Sequence, residues 1–485
     1  MADETFAVHT SLLFDPKKKL FLNNISIEIS RPTGSVVNVI TRPSDEIDTS
    51  SPDDIDLRGK LVLPGFVDSH THIFLYDYRE RSGTEQMRDE STVERVVRAT
   101  NHVRSALLAG YTTYRDLGTE SLGNADANLR DCINRGLLAG PRLFVATEAL
   151  ASTGSYELRV ENRLGNPLTV PRACDPADGV NGVRAAVRRR VGDGADLIKF
   201  YADYRRKVMR FPTAGPRPVR FPPETYEKRN PAVPLYEQEE MDAIVQEARL
   251  ADLPVAAHAG ETKAARMALR AGVTTVEHVF EDHDGVKDKF FEDLKKYGAI
   301  WVPTLCAGEA TLRPDQWGGH KELVRKGWEA GVRLAAGGDT GTVDHGLNVH
   351  EMELMMQLGI PVEDVLVAAT VVGWEACGGD KCGYRFGWFE KGNRADIIAL
   401  DTDPRVDKRA LRKVSFVMKD GEVWKRDGVA VGMIQTPGWE KMEGSPSPSP
   451  RSSEDWTEVQ DTEQAMEMSV PPPVCCGLKK ARRSE

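Results

Sequence analysis

Two histidines, His70 and His72, close a short apolar run in the stretch "PGFVDSHTHI". Residues two apart in a β-strand point to the same face, so both imidazoles can reach one ion. Imidazole nitrogen is a common ligand for Zn²⁺ and related divalent cations. Because a chain of 485 residues with ten histidines can produce such a pair by chance, the interpretation needs further ligands elsewhere in the chain.

Four more residues that could hold or bridge metal ions stand at the ends of later apolar runs. These are Lys199 in "LIKFY", His258 in "VAAHAGE", His278 in "TTVEHVFE" and Asp339 in "AAGGDTG". Asp339 offers an oxygen ligand and can accept a proton from water, which makes it the candidate catalytic residue. Taken alone, His278 could be a core histidine and Asp339 a turn residue or helix cap. Their shared placement at strand ends favours a metal site.

Lys199 differs from the other candidates because an ammonium cannot ligate a metal. Its neighbours are apolar, and a buried ammonium is costly unless it is neutralised, paired or modified. Addition of CO₂ to the amine would give a carbamate, whose two oxygens could bridge two cations. Taken alone, Lys199 could equally be an ordinary lysine with a buried stem and a solvated head.

The candidate ligands follow short β-prone runs that alternate with amphipathic stretches. The predicted strands are "GFVDSHTHI", "GYTTYRDLG", "PRLFVATEAL", "ADLIKFYAD", "LPVAAHAGE", "VTTVEHVFE", "GAIWVPTL" and "VRLAAGGDTG". Helical segments such as "STVERVVRATNHVRSALLAG" carry apolar residues at three- and four-residue spacing. Eight strand–helix units over about 310 residues predict an α/β fold, a (β/α)₈ TIM barrel with insertions. Catalytic groups in such barrels lie at the C-terminal ends of the strands.

Four segments are predicted along the chain. Residues 1–65 read as the N-terminal part of a small β-sandwich, 66–384 as the barrel, 385–435 as the C-terminal part of the sandwich, and 436–485 as a disordered tail. The two ends of the chain would therefore form one composite β domain. Pro, Ser and Glu dominate the tail, and its apolar content is too low for a packed core.

Composition excludes several classes of protein. A formal net charge of −10 argues against a nucleic-acid binder. No run of about eighteen apolar residues occurs, so no transmembrane segment is predicted. The start of the chain lacks a basic region before its apolar residues, and seven scattered cysteines suit a reducing compartment. These features predict a cytoplasmic enzyme that acts on a small molecule, with a homo-oligomer left open.

Together, the quoted motifs resemble the amidohydrolase superfamily, in its imidazolonepropionase-like and Xaa-Pro dipeptidase (prolidase) branch, which includes ochratoxinase-like amidases. The matching stretches are "LVLPGFVDSHTHI", "GADLIKFYA", "VAAHAGETKAARMALRAGVTTVEHV", "AAGGDTG" and "KGNRADIIALDTDP". They cover roughly residues 5 to 430. The chain departs from the pattern at Gly260, where relatives usually have a second histidine, and this departure concerns the substrate pocket.

The resemblance implies a metal-dependent hydrolase that cleaves a carbon–nitrogen bond, an amide or peptide bond of an N-acyl amino acid or dipeptide. Two divalent ions, Zn²⁺ or another metal, would be held in two positions. The implied ligands are His70, His72 and Asp339 for the deeper ion and His258 and His278 for the second, with carboxylated Lys199 as the bridge. A metal-activated hydroxide would attack, and Asp339 would serve as general base and then general acid.

The sequence also offers candidates for residues that bind the substrate, without a motif of their own. Tyr201, Arg205 and His345 lie near the predicted barrel mouth and could contact the substrate. One alternative is a mononuclear hydrolase or deaminase that acts on a cyclic amide or amidine, as the imidazolonepropionase resemblance implies. A catalytically retired barrel is a further alternative, although such a chain would have lost ligands and this one retains every position.

Overall fold

The computed structural model describes residues 4–47, 51–156, 171–205, 232–282 and 285–433. Contacts divide the chain into a unit of residues 1–435 and a second unit of residues 436–485, and all described residues belong to the first. The predicted tail, with the same bounds as the second unit, lies outside the described residues. The three segments predicted before it lie together in the first unit, and their division remains a prediction.

Short strands make up much of the described chain. In chain order they are β1 Thr5–Asp15, β2 Leu20–Ser30, β3 Val36–Thr41, β4 Ile55–Asp56, β5 Leu61–Pro64, β6 Phe66–Thr71, β7 Tyr111–Asp116, β8 Arg142–Val145, β9 Leu150–Ala151, β10 Asp175–Pro176, β11 Ile198–Tyr201, β12 Asp203–Arg205, β13 Ala232–Pro234, β14 Val255–Glu261, β15 Thr275–Glu281, β16 Ile300–Val302, β17 Ile397–Leu400, β18 Val414–Lys419, β19 Glu422–Arg426 and β20 Val429–Ala430. Seven of the eight predicted strand runs contain one of these strands.

The helices lie mainly between the strands of the middle of the chain. They are α1 Gly83–Asp89, α2 Thr92–Leu108, α3 Ala125–Asn134, α4 Gly179–Gly192, α5 Gln238–Leu250, α6 Thr262–Ala271, α7 Lys287–Tyr297, α8 Leu305–Thr311, α9 Pro314–Glu329, α10 Val349–Gln357, α11 Val362–Ala368 and α12 Val371–Ala376, with short 3₁₀ helices at Gly379–Cys382 and Ala410–Arg412. The Ser91 hydroxyl caps α2 by accepting a hydrogen bond from the Glu94 amide at 3.1 Å. The predicted amphipathic helices are confirmed.

Strands from both chain ends share one sheet. In the nine-stranded sheet the order is β20-β19-β18-β17-β5-β1-β2-β3, with β4 beside β1. The antiparallel pairing of β5 with β17 joins residues that are more than 300 positions apart in the chain. Val8, Ile27, Val62, Ile397 and Phe416 are buried together in its core. A common β unit formed by both ends is therefore present as a sheet.

Parallel strands position the candidate site. β6, β7 and β8 pair in parallel, as do β9, β11, β14, β15 and β16 in a second sheet. The Asp196 amide donates to the Val145 carbonyl at 2.8 Å, which links β8 to the residues before β11. The Trp301 amide donates to the Arg333 carbonyl at 3.0 Å, beyond β16. The mixed α/β character is confirmed, and these hydrogen bonds extend the two parallel sheets beyond the regular strands.

The eighth predicted strand, in residues 332–341, is not a regular strand. It forms isolated bridges from Leu334 to Trp301 and from Thr340 to Thr71. A Cβ atom on Gly337 would lie 2.7 Å from the His70 amide nitrogen, so glycine is needed for this close approach. The glycines allow residues 332–341 to lie directly against β6, and the segment there forms isolated bridges in place of a continuous row of strand hydrogen bonds.

Candidate metal centre

His70 occupies the middle of the candidate site and is completely buried near the end of β6. Its Nδ1 atom lies 2.9 Å from Oε2 of Glu277, and its Nε2 atom lies 3.4 Å from Oδ1 of Asp339. Among the described residues, neither His70 Nε2 nor Asp339 Oδ1 has a hydrogen-bond partner. Buried polar atoms are nearly always paired, so two unpaired atoms that face each other fit a site for a cation.

His72 presents a second nitrogen to the same carboxylate oxygen. Its Nδ1 atom donates to the Gly118 carbonyl at 2.9 Å, which leaves Nε2 at 3.3 Å from Asp339 Oδ1. Both histidines therefore use Nδ1 for orientation and turn Nε2 inward. A hydrogen bond to the outer nitrogen of a ligating imidazole fixes its tautomer and the direction of its lone pair.

His278 and His258 extend the cluster from β15 and β14. The ring of His278 lies 4.8 Å from that of His70, and the ring of His258 lies 4.5 Å from that of His278. His278 Nδ1 is 2.8 Å from the Thr304 hydroxyl, which itself donates to the Pro303 carbonyl. The hydroxyl therefore accepts from Nδ1, and Nε2 of His278 keeps its lone pair.

Three of the predicted ligands offer atoms within reach of one ion. Donor atoms of His70, His278 and Asp339 all lie within 4.8 Å of one another. Asp339 has φ +56°, and His278 and the adjacent Val279 have φ +70° and +62°. Such left-handed backbone costs about 1–3 kcal/mol for residues other than glycine and clusters at functional sites. The fold thus holds two of these three candidate ligands in strained conformations.

Lys199 lies on β11, whose register places it beside Ala256 on β14. Its side chain is buried, and no carboxylate of the described residues forms an ion pair with it. Burial lowers the pKa of Lys199 to about 8. A buried amine that is readily neutral is the form that adds CO₂, which fits the carbamate expected from the sequence.

Burial also sets the charge of the other candidate ligands. It holds the pKa of His70 and His278 well below the usual range and lowers that of His72 to about 4. These imidazoles are therefore neutral near pH 7, which is the form that binds a metal. Burial raises the pKa of Asp339 to about 7. The donor set of neutral imidazoles and one carboxylate suits a divalent cation such as Zn²⁺.

The predicted substrate-binding residues occupy different surroundings. The ring of Tyr201 lies 4.6 Å from that of His258, beside the cluster. His345 has Nε2 3.1 Å from the Leu75 carbonyl and stacks on His102 with ring centres 4.4 Å apart. The side chain of Arg205 lies outside the described residues. Roles in substrate binding remain predictions for all three.

Sequence analysis missed the buried carboxylates that form hydrogen bonds to the candidate ligand His70. Glu277 lies between His70 Nδ1 and the guanidinium of Arg115, whose Nη2 donates to it at 2.6 Å. Asp68 accepts hydrogen bonds from the His70 amide at 3.0 Å and from the Thr340 hydroxyl at 2.8 Å. Asp68 stands two residues before His70, so strand alternation carried a signal for it. No comparable spacing marked Glu277.

A family assignment follows from comparison with known proteins. The sequence profile of the amidohydrolase family matches residues 61–425, three quarters of the chain. The protein belongs to the amidohydrolase family. Ochratoxinase from Aspergillus niger is 27% identical over 412 residues, which is 77% of either chain. Imidazolonepropionase from Brevibacillus brevis is 22% identical over 386 residues, 77% of this chain and 83% of the relative.

Solved structures agree with this assignment. A Xaa-Pro dipeptidase crystallised with methionine in its active site matches 87% of this amidohydrolase with a TM-score of 0.70 and 28% identity, and is itself covered completely. Crystalline ochratoxinase from Aspergillus niger has the same TM-score at 24% identity, which shows a shared fold, with 89% of this chain and 98% of the other covered.

Both comparisons bear on the activity and the cofactor. The resemblance drawn from the sequence motifs is confirmed, and the protein is a hydrolase that acts on carbon–nitrogen bonds. Its family is generally metal-dependent, and the cluster of His70, His278 and Asp339 is a possible metal site. Within the described ranges, no helix combines the length and apolar character needed to cross a bilayer.

Proposed function

We propose that this amidohydrolase is a metal-dependent enzyme that cleaves the amide or peptide bond of a small molecule, such as an N-acyl amino acid or a dipeptide. The observation that carries the proposal is the orphaned pair of buried atoms, His70 Nε2 and Asp339 Oδ1, at 3.4 Å with His72 Nε2 beside them. The likeness to a Xaa-Pro dipeptidase and to ochratoxinase supports an amide-type bond.

The proposed architecture is a (β/α)₈ TIM barrel flanked by a composite β-sandwich. The parallel strands from β6 to β16 support the barrel. Residues 332–341 add to this support, because they form bridges both to Trp301 and to Thr71 at the end of β6. The nine-stranded sheet, which takes strands from both chain ends, supports the composite domain. In a barrel of this kind, the strand ends gather the candidate ligands at one face.

We infer that the donors present hold two divalent ions, most simply Zn²⁺. His70, His72 and Asp339 would bind the deeper ion, and His258 and His278 the outer one. Lys199, carboxylated, would contribute oxygens to both. Bound there, such ions would lower the pKa of water toward about 7 and polarise the substrate carbonyl.

The residues of the chain itself would position the reactants and move the proton. Asp339 faces both inward nitrogens, so its carboxylate is placed to take the proton of the attacking water. The same group would then protonate the departing nitrogen, which an amide needs because an unprotonated amine leaves poorly. Glu277 would keep His70 in one tautomer through its hydrogen bond to Nδ1.

A mononuclear hydrolase or deaminase of cyclic amides is the second candidate. The compact set of His70, His278 and Asp339 favours it, because these three suffice for one ion. The likeness to imidazolonepropionase also supports it. In this case the amine of Lys199 stays unmodified.

A substrate screen with metal-loaded full-length protein tests the proposal. The panel contains N-acyl amino acids, Xaa-Pro dipeptides and cyclic ureides, and elemental analysis counts the ions per chain. Hydrolysis of linear amides with two ions bound supports the proposal. Turnover of cyclic amides alone, with one ion bound, would establish the second candidate instead, and a fully active protein without metal would refute both.

A further inference from the structure

A buried carboxylate, Glu120, lies beside the proposed metal centre and is not one of its proposed ligands. Its side chain is only 3% exposed. Oε2 accepts a hydrogen bond from the Tyr156 hydroxyl at 2.6 Å, and Oε1 lies 3.5 Å from Nδ1 of His72. Within the described part of the chain, Glu120 forms no ion pair with a lysine or arginine. A carboxylate has room for about four hydrogen bonds, and burying one with a single firm partner is unfavourable.

Glu120 is not needed to orient the ring of His72. The Nδ1 proton of His72 already goes to the Gly118 carbonyl at 2.9 Å, a shorter distance than the 3.5 Å to Glu120. A nitrogen with one proton makes one strong hydrogen bond, and the carbonyl receives it. Glu120 therefore keeps most of its capacity to bind a partner.

The backbone at Glu120 adopts a conformation that is unfavourable for a residue other than glycine. Glu120 and Ser121 have φ +52° and +79°, in the left-handed region. The buried guanidinium of Arg95 fixes this turn, because its Nη2 donates to the carbonyls of Glu120 at 2.7 Å and Thr119 at 3.2 Å. Such strain persists only where the surrounding structure enforces it, and it is typical of binding and catalytic sites.

Three tyrosines connect Glu120 with the metal centre. Tyr156, the hydrogen-bond donor to Glu120, stacks on Tyr201 with ring centres 4.5 Å apart. Tyr204 meets both rings edge-on, at 5.0 Å and 5.5 Å. Tyr201 in turn lies 4.6 Å from the ring of His258. Aromatic faces attract a cation electrostatically, so rings beside a carboxylate suit a bound organic cation.

We propose that Glu120 and this tyrosine cluster, Tyr156, Tyr201 and Tyr204, bind a positively charged ammonium group of the substrate. The inference rests on the proposed amide hydrolysis and narrows its substrate class. A dipeptide with a free N-terminal ammonium would satisfy Glu120, whereas an N-acylated amino acid would leave the carboxylate unpaired. The enzyme would therefore act as a dipeptidase in preference to an N-acyl amino acid hydrolase.

Matched substrates test this preference. Each L-alanyl dipeptide is compared with its N-acetyl counterpart, which differs only by the lost charge and the acetyl group. We expect wild-type kcat/KM to favour the free dipeptide by about 10- to 100-fold, the worth of a hydrogen bond to a charged group. Glu120→Gln, which keeps the shape and an acceptor for Tyr156, should bring this ratio close to one. Glu292→Gln on the exposed side of α7 is the matched control and should leave the ratio unchanged.

A binding measurement provides a second test that needs no turnover. The Tm of the wild-type protein should rise with isobutylammonium chloride and not with isobutanol, and Glu120→Gln should lose the difference. Equal preference for free and acetylated dipeptides, or a ratio that survives Glu120→Gln, would overturn the inference while the amide hydrolase stands. Failure to hydrolyse any linear amide, together with the specific Tm shift, would overturn the proposed function and leave the ammonium site in place. Absence of the Tm difference would also count against the site.

Discussion

The Nδ1 atom of His70 lies 2.9 Å from Oε2 of Glu277, a buried carboxylate that follows it by 207 residues in the chain. This hydrogen bond directs the opposite nitrogen of His70 toward Asp339. Arg115 in turn binds Glu277 from β7 through Nη2 at 2.6 Å. A candidate ligand on one strand is thus hydrogen-bonded to a carboxylate on a second strand, and a guanidinium on a third strand binds that carboxylate.

Glu277→Gln is expected to weaken Zn²⁺ binding by about 10- to 100-fold, because it removes the carboxylate that orients His70. The change also leaves the buried charge of Arg115 unpaired, so the free energy of unfolding should fall by about 3–5 kcal/mol. Zinc titration against a competing chelator and urea unfolding measure the two effects. Glu292→Gln is the control, and equal zinc affinity in both variants would contradict the positioning role of Glu277.

Asp339→Asn should lower kcat by about 10²- to 10⁴-fold, because the amide cannot take the proton of the attacking water. The protein without metal should lose no stability, since Asp339 Oδ1 has no hydrogen-bond partner among the described residues. Steady-state hydrolysis measures the change in kcat, and thermal unfolding after chelation measures the stability of the protein without metal. A wild-type kcat in the Asp339→Asn variant would show that Asp339 does not take part in the proton transfer.

Removal of metal should abolish hydrolysis, and chelation should lower Tm. An ion at 100 times its Kd stabilises the folded state by about 2.7 kcal/mol, since the unfolded chain holds no such site. The Lys199 carbamate is detected separately, by a carbon-13 signal after incubation with labelled bicarbonate. Lys199→Ala should lose this signal and bind fewer ions, whereas Lys326→Ala on the outer face of α9 should retain both. An unmodified Lys199 in a fully active enzyme would favour the mononuclear alternative.

Gly337→Ala should destabilise the segment that carries Asp339. Its Cβ would lie 2.7 Å from both the His70 amide and the Val302 side chain, which costs about 1–3 kcal/mol when packed backbone has to shift. Gly319→Ala in the exposed middle of α9 meets no atom within 4 Å and should stabilise the protein by about 0.5–1 kcal/mol. Urea unfolding compares the two alanines. Equal free energies of unfolding would mean that the segment tolerates movement away from His70.

His350 should make stability depend on pH. It joins α10 to α8, with Nδ1 3.4 Å from Glu353 and Nε2 2.6 Å from Glu309, while Arg412 also binds Glu353. Hydrogen bonding to Glu353, and then to Glu309, raises the pKa of His350 to about 9. A raised pKa stabilises the folded state fully below the unfolded value of about 6.5, and this contribution is lost as pH rises through about 9.

Because the His350 side chain is partly exposed, we expect its contribution to be no more than about 1 kcal/mol after solvent screening. His350→Gln should therefore be less stable than wild type near pH 6, and the two should converge near pH 10. Urea unfolding at both values measures the difference. A gap that stays constant across this range would show that His350 does not carry the charge assigned to it.

Local patterns in the sequence were sufficient to predict most of the strands and helices that carry the candidate ligands, whose roles as ligands remain predictions. The run that ends in His70 forms β6, and the runs around Lys199, His258 and His278 form β11, β14 and β15. Alternation of apolar residues depends only on near neighbours, so a strand and its terminal residue can be predicted from a short stretch. The prediction of a regular strand around Asp339 was wrong. The glycines of this segment approach β6 so closely that only isolated β-bridges form there.

What the sequence determined by itself was the family, the order of strands and helices, and the residue types able to bind a metal. Only the tertiary structure decided which atoms face each other. Strand alternation would send Glu277 and His278 to opposite sides of β15, yet the positive φ of His278 lets both approach His70. That geometry depends on contacts between strands far apart in the chain, and such contacts leave no periodic trace in the sequence.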